Sequence, residues 1–143
     1  MGAKRSERGV LSQEKVRAFI NRARSAARRR PHSPYLAGTN MAEDFDGLGL
    51  CFLEEQIEAV LACLEEITPE FYTGPDPPNE MGCEPVCKNE RLLQFVWTSG
   101  HFGGKRMCFK FAIKGRRQSD ERLVVVRLHI PYDPNRFSKL DRP

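Results

Sequence analysis

The sequence lacks any long apolar run: no stretch approaches the roughly 20 residues that a membrane-spanning helix needs. The basic first 30 residues have no apolar core before a small-residue cleavage site. We therefore expect no signal peptide, no membrane partner and a cytoplasmic location. Histidine is scarce, with three in 143 residues, so imidazole chemistry rests on His32, His101 or His129. There are five cysteines, an odd number spread over unrelated segments, which makes a poor disulfide framework and suits a reducing compartment. Cys83 and Cys87 form a Cys-x3-Cys pair with His101 and Cys108 downstream. A structural zinc site usually has two tight ligand pairs, and the second is missing. Ordinary thiols are the preferred reading, with no metal and no cofactor expected. Internal repeats are absent too, which excludes a solenoid.

The charges that are present are strongly segregated. Residues 1–30 hold ten Lys/Arg against two acids, residues 41–90 thirteen acids against one lysine, and residues 91–143 twelve Lys/Arg against four acids. A basic segment often marks a polyanion partner, because neutralising phosphates releases counterions. Acidic and basic segments also compensate one another within a fold, so charge favours the polyanion reading only slightly.

A chain of this length suits one domain with a core that needs no staples. Leu11 to Arg30 reads as a helix, with Ser12 as its cap and Val16, Phe19, Ile20, Ala23 and Ala27 on one stripe. Pro31 and Pro34 end it, and residues 1–34 form a basic helix and linker ahead of a domain at 35–143. Residues 35–49 read as a loop with at most one short turn. From Cys51 to Ile67, Phe52, Ile57, Val60, Leu61 and Leu64 recur at near-helical spacing, with glutamates between them. Pro69 stops that helix, and a proline-rich loop follows to about residue 90.

The period then changes to two. Leu92–Thr98, Met107–Lys114 and Leu123–Ile130 read as three strands of an antiparallel meander, linked by Ser99–Gly104 and by a charged turn. The expected fold is α+β, a small antiparallel sheet packed on N-terminal helices. Alternation puts Phe109, Phe111 and Ile113 on one face and Cys108, Lys110, Ala112 and Lys114 on the other. In the last strand it puts Val124, Val126 and Leu128 on the core side and Val125, Arg127 and His129 opposite. Lys110, Lys114, Arg127 and His129 then share a basic face with one imidazole that titrates near neutral pH.

Metal-free RNA cleavage needs little more than such a face. A 2′-hydroxyl must lose its proton as it attacks phosphorus, the phosphate oxygens need cationic donors, and the leaving 5′-oxygen needs a proton. A basic sheet face is also commonly a solvated surface, and strand pattern alone favours that plainer reading. Lys105 and Arg106 flank the Ser99–Gly104 link and either hold phosphates or guard a sheet edge, His101 within that link can reach a substrate, and Tyr72 is either a base-stacking ring or a core aromatic. His32, between prolines, reads as a surface histidine.

Several short motifs occur in a telling order: Leu48-Gly-Leu50, Leu64-Glu-Glu-Ile-Thr-Pro-Glu-Phe-Tyr72, Gly74-Pro75, Phe95-Val-Trp97, Cys108-Phe-Lys-Phe111 and Val124-Val-Val-Arg-Leu-His129. In that order they resemble the MqsR-type toxins, RNA endonucleases of RelE-like fold from bacterial toxin–antitoxin modules. The resemblance covers about residues 40–137. It implies a metal-independent mRNA endonuclease, acting on free or ribosome-associated messenger, that inhibits translation and is neutralised by an antitoxin protein. Lys110 corresponds to the lysine of the family's Tyr-x-Lys strand, His129 to the basic residue closing the last strand, and Gln94 to a family glutamine. The chain departs from the pattern at Thr73, where some members carry lysine, at Cys108 in place of tyrosine, and at Arg127 in place of a small hydroxyl residue. The rival reading is a non-catalytic nucleic-acid or protein-binding module that keeps the same basic face.

Overall fold

The computed structural model describes residues 11–29, 35–36, 41–73, 92–115, 117 and 120–130. The expected linker, the cysteine pair at 83 and 87, His32 and the tail from Pro131 lie outside these residues. The described chain is a mixed α+β fold of three helices against a small sheet.

Helix α1 (Gln13–Arg29) starts where Ser12 accepts the Lys15 amide at 3.2 Å, the cap expected from the sequence. Its buried side is Val16, Ile20, Ala23, Ala26 and Ala27, while Phe19 is only partly covered. Residues 35–49, expected to be a loop with at most one short turn, are more ordered than that. A two-residue strand, β1 (Tyr35–Leu36), and a short helix, α2 (Met41–Gly47), occupy them. Burial of Met41 and Phe45 in the main core stabilises a helix that its glycine- and aspartate-rich flanks disguise.

Helix α3 (Leu53–Glu66) begins where Glu55 reaches back to accept the Phe52 amide at 3.2 Å. Phe52 was expected on its apolar stripe but precedes the helix and is 69% exposed. Ile57, Ala59, Val60, Cys63 and Leu64 form the buried side. Pro69 opens a single 3-10 turn, Pro69–Phe71, and Tyr72 then bridges to Phe95.

The sheet consists of β2 (Leu93–Ser99), β3 (Lys105–Lys114) and β4 (Arg122–His129), antiparallel in chain order, with β1 added parallel at the β4 edge. The three-strand meander is as expected, and β1 is the addition. Phe95 stacks on Phe111, Phe111 packs tilted against Phe109, and Trp97 meets Phe109 edge-on, so the helix-facing side of the sheet is aromatic. Side chains from α1, α2, α3 and all three long strands belong to this one apolar cluster.

One strand departs from simple alternation. Lys110 pairs with Arg127, but the next residue, Phe111, pairs with Val125, so Val126 is an extra residue in β4. Such a β-bulge reverses the side-chain alternation beyond it. Leu123 and Val125 therefore join Leu128 in the helix-side core, and Val124 and Val126 point the other way, into a second buried cluster with Leu92 and Ala112. The expected core trio Val124/Val126/Leu128 is corrected to Leu123/Val125/Leu128, while the assignments on β3 stand.

Candidate functional site on the outer sheet face

Two adjacent cross-strand rows build the face opposite the main core. One runs Gln94–Lys110–Arg127, the other Val96–Cys108–His129. Residues directly opposite in a ladder project to the same side, and both rows lie before the bulge, so these side chains share a face. Lys110 and His129 are diagonal neighbours across β3 and β4, with roughly 7–8 Å between backbones in such a pair. Both are half-buried.

The two rows are held from their edges. Asp44, on α2 and 6% exposed, accepts the Arg127 Nε and Nη2 groups, each at 2.9 Å, through its two carboxylate oxygens. The same carboxylate accepts the Leu128 amide at 3.1 Å. A bidentate pair with a third donor fixes both the guanidinium and the end of the strand. On the other side, Gln94 donates its side-chain amide to the Thr73 hydroxyl at 3.1 Å. Thr73 in turn donates its amide and its hydroxyl to the Gln94 carbonyl, at 2.9 and 3.2 Å.

His129 sits between these fixed groups. Its Nδ1 lies 2.7 Å from the Ile130 carbonyl oxygen. A carbonyl only accepts, so Nδ1 carries the proton, and the lone pair of the neutral ring is on Nε2. Burial lowers the imidazole below its usual value near 6.5, and the Arg127 and Lys110 cations push the same way. The Ile130 carbonyl and Asp44 oppose them without reversing the direction. At neutral pH the ring is an uncharged base beside a lysine cation. Cys108, directly opposite His129, is buried, and burial pushes its thiol up to about 11 despite Lys110 and Arg127. That makes it a poor nucleophile.

The remaining expected contacts divide between the two faces. Arg106 pairs with Thr98 on the outer face and is exposed. Lys105 pairs with Ser99 and therefore leans to the helix side. Lys114 is exposed at the far end of β3 opposite Arg122. Tyr72 is half-buried and packs edge-on against Phe95, 5.9 Å between centroids, so its ring serves the core side.

His101 is exposed in the tight β2–β3 turn, away from Lys110 and His129. Positive φ at Gly103 and Gly104 makes that turn possible. Glu66, at the end of α3, holds it by accepting Trp97 Nε1 at 2.9 Å, Ser99 Oγ at 2.6 Å and the His101 amide at 2.9 Å. Burial pushes the Glu66 carboxyl up, but those donors outweigh it and leave it below its usual value.

Sequence reasoning missed Asp44, which organises the face from 83 residues away along the chain. Nothing local distinguishes it from Glu43 or Asp46. Among the described residues, no group of three or more His, Cys, Asp or Glu side chains is placed to hold a metal ion. No described helix is long and apolar enough to cross a membrane. Comparison of the chain with known protein families, curated proteins and solved structures found no match.

Proposed function

We propose that the chain is a metal-independent endoribonuclease of RelE-like architecture, a cytoplasmic toxin that cleaves mRNA and is neutralised by a cognate antitoxin. The observation that carries this reading is the diagonal pair of Lys110 with His129, whose tautomer and lowered basicity suit a general base at neutral pH.

In this mechanism His129 Nε2 takes the proton from a ribose 2′-hydroxyl as that oxygen attacks the adjacent phosphorus. The Lys110 ammonium donates to a non-bridging phosphate oxygen, where negative charge builds. The bond from phosphorus to the 5′-oxygen breaks, and the leaving oxygen takes a proton from water or from the lysine. The products are a 2′,3′-cyclic phosphate and a 5′-hydroxyl. Arg106, exposed on the same face, extends the contact to a neighbouring phosphate. Arg127 and Gln94 position rather than react, because Asp44 and Thr73 engage them.

That engagement is also what favours a second reading, a nucleic-acid or protein-binding module without catalysis. Expression in bacteria separates the two. The wild-type chain is expected to slow growth and degrade RNA, and His129→Ala or Lys110→Ala to relieve both effects. Equal toxicity from the His129→Ala protein would sink the proposed mechanism.

A further inference from the structure

The apolar stripe of α3 outruns the core that it packs into. Leu53, Ile57, Val60 and Leu64 recur three or four residues apart and share one side of the helix. Ile57, Val60 and Leu64 are buried, but Leu53 is 60% exposed. Phe52 beside it is 69% exposed, and Cys51 is exposed as well. Leu48 and Leu50 lead into this segment, half-buried against the main core. An apolar run thus passes from the core to solvent at the start of α3.

The backbone of that run is fixed. Glu55 accepts the Phe52 amide at 3.2 Å, and the Gln56 amide donates to the Phe52 carbonyl at 3.0 Å. The Gln56 side chain donates to the Leu50 carbonyl, also at 3.0 Å. An exposed aromatic on a held backbone costs little further ordering when a partner covers it, which is how interface anchors work.

The surroundings carry one sign of charge. Residues 41–66 contain eight carboxylates and no lysine, arginine or histidine. Asp44 is engaged by Arg127, Glu66 by the β2–β3 turn, and Glu65 lines a groove together with Arg28. Glu43, Asp46, Glu54, Glu55 and Glu58 remain, all exposed and none in an ion pair among the described residues. Arg24 lies at the opposite end of α3, on the Leu64 and Ile67 carbonyls. The last residues of α1 bring Arg28 and Arg29 towards the Phe52 end, and two arginines do not balance five carboxylates. Glu54 and Glu55 also complement the α3 dipole, which leaves Glu43, Asp46 and Glu58 without that explanation.

Apolar anchors among carboxylates select by charge. An RNA backbone or an anionic lipid surface is repelled. A second copy meeting the same surface across a two-fold axis would set carboxylates against carboxylates. A segment with apolar side chains on one face and lysine or arginine beside them satisfies both parts. We propose that Phe52 and Leu53, with the carboxylates of α2 and α3 around them, dock a cationic amphipathic segment of a partner protein. Neither Lys110 nor His129 belongs to this surface, so it stands whether or not the chain cleaves RNA.

Fluorescence anisotropy with the full chain and a labelled helical peptide built only of leucine and lysine tests this. The expected result is saturable one-to-one binding that weakens as salt rises, and none with the matching leucine–glutamate peptide. Phe52→Ser should weaken it by about tenfold or more, and Asp46→Lys combined with Glu58→Lys by a similar factor. All three positions are exposed, and unchanged circular dichroism checks that each variant is folded. Absence of binding at low salt overturns the proposal, as does an affinity that Phe52→Ser leaves unchanged, or equal binding of the two peptides. A chain that sediments as a dimer and becomes monomeric with Phe52→Ser overturns it too, and gives the surface to a second copy.

Discussion

Two carboxylates reach the sheet from helices, and they do different things there. Glu66 meets three neutral donors around the β2–β3 turn, whereas Asp44 meets a guanidinium and the amide of Leu128 in β4. The first arrangement fastens a turn and leaves no cation held beside a base. The second fixes an arginine next to the His129 ring, where its charge helps to keep that ring neutral. A buried carboxylate on its own therefore says little about function; what it binds, and what stands beside that partner, says more.

Removing Asp44 should break the comparison most visibly. Asp44→Ala leaves a half-buried Arg127 without its counter-charge and the Leu128 amide without its acceptor. We expect a loss of about 2–3 kcal/mol in urea unfolding. The His129 pKa should fall further, since Asp44 raises it. At the other end, Glu66→Gln should cost about 1–2 kcal/mol by the same measurement, the carboxylate being the stronger acceptor. The sign with pH follows from its lowered pKa: the stabilisation is present above the ordinary value of 4.5 and is lost as pH falls through the folded one. The difference between wild type and Glu66→Gln should therefore shrink in acid, and the site at Lys110 and His129 should be unaffected.

A smaller change sharpens the contrast. Arg127→Gln removes a cation that lowers the His129 pKa and leaves Asp44, which raises it, unpaired. The imidazole titration followed by NMR should move upwards, and the acid limb of any RNA cleavage should move with it. Glu66→Gln should move neither. A shift of equal size in both variants would mean that the two carboxylates are equivalent after all.

Much of the frame was legible in the sequence because it is set locally. Ser12, the α1 stripe, the proline stops and the period-two strands each act within a few residues, and on β3 alternation alone sorted Phe109 from Lys110. The assignment of β4 failed at Val126 because a bulge leaves no mark in a run of β-branched residues. Helix α2 was missed because its stability comes from burying Met41 and Phe45 against distant elements rather than from its own propensity. The basic face survived these errors, since Lys110, Arg127 and His129 all precede the bulge in the pairing. Its anchors did not follow from the sequence: the Arg127–Asp44 and Gln94–Thr73 contacts join residues far apart in the chain.

The central claim is that His129 is a base acting on RNA beside Lys110. Incubating the purified chain with a messenger RNA in the presence of a chelator, and analysing the ends of the fragments, tests it most directly. The account predicts 2′,3′-cyclic phosphate and 5′-hydroxyl ends from the wild type, and a rate reduced by about 10²-fold or more in His129→Ala. Undiminished cleavage by His129→Ala, or intact RNA with a folded wild-type chain, would contradict it.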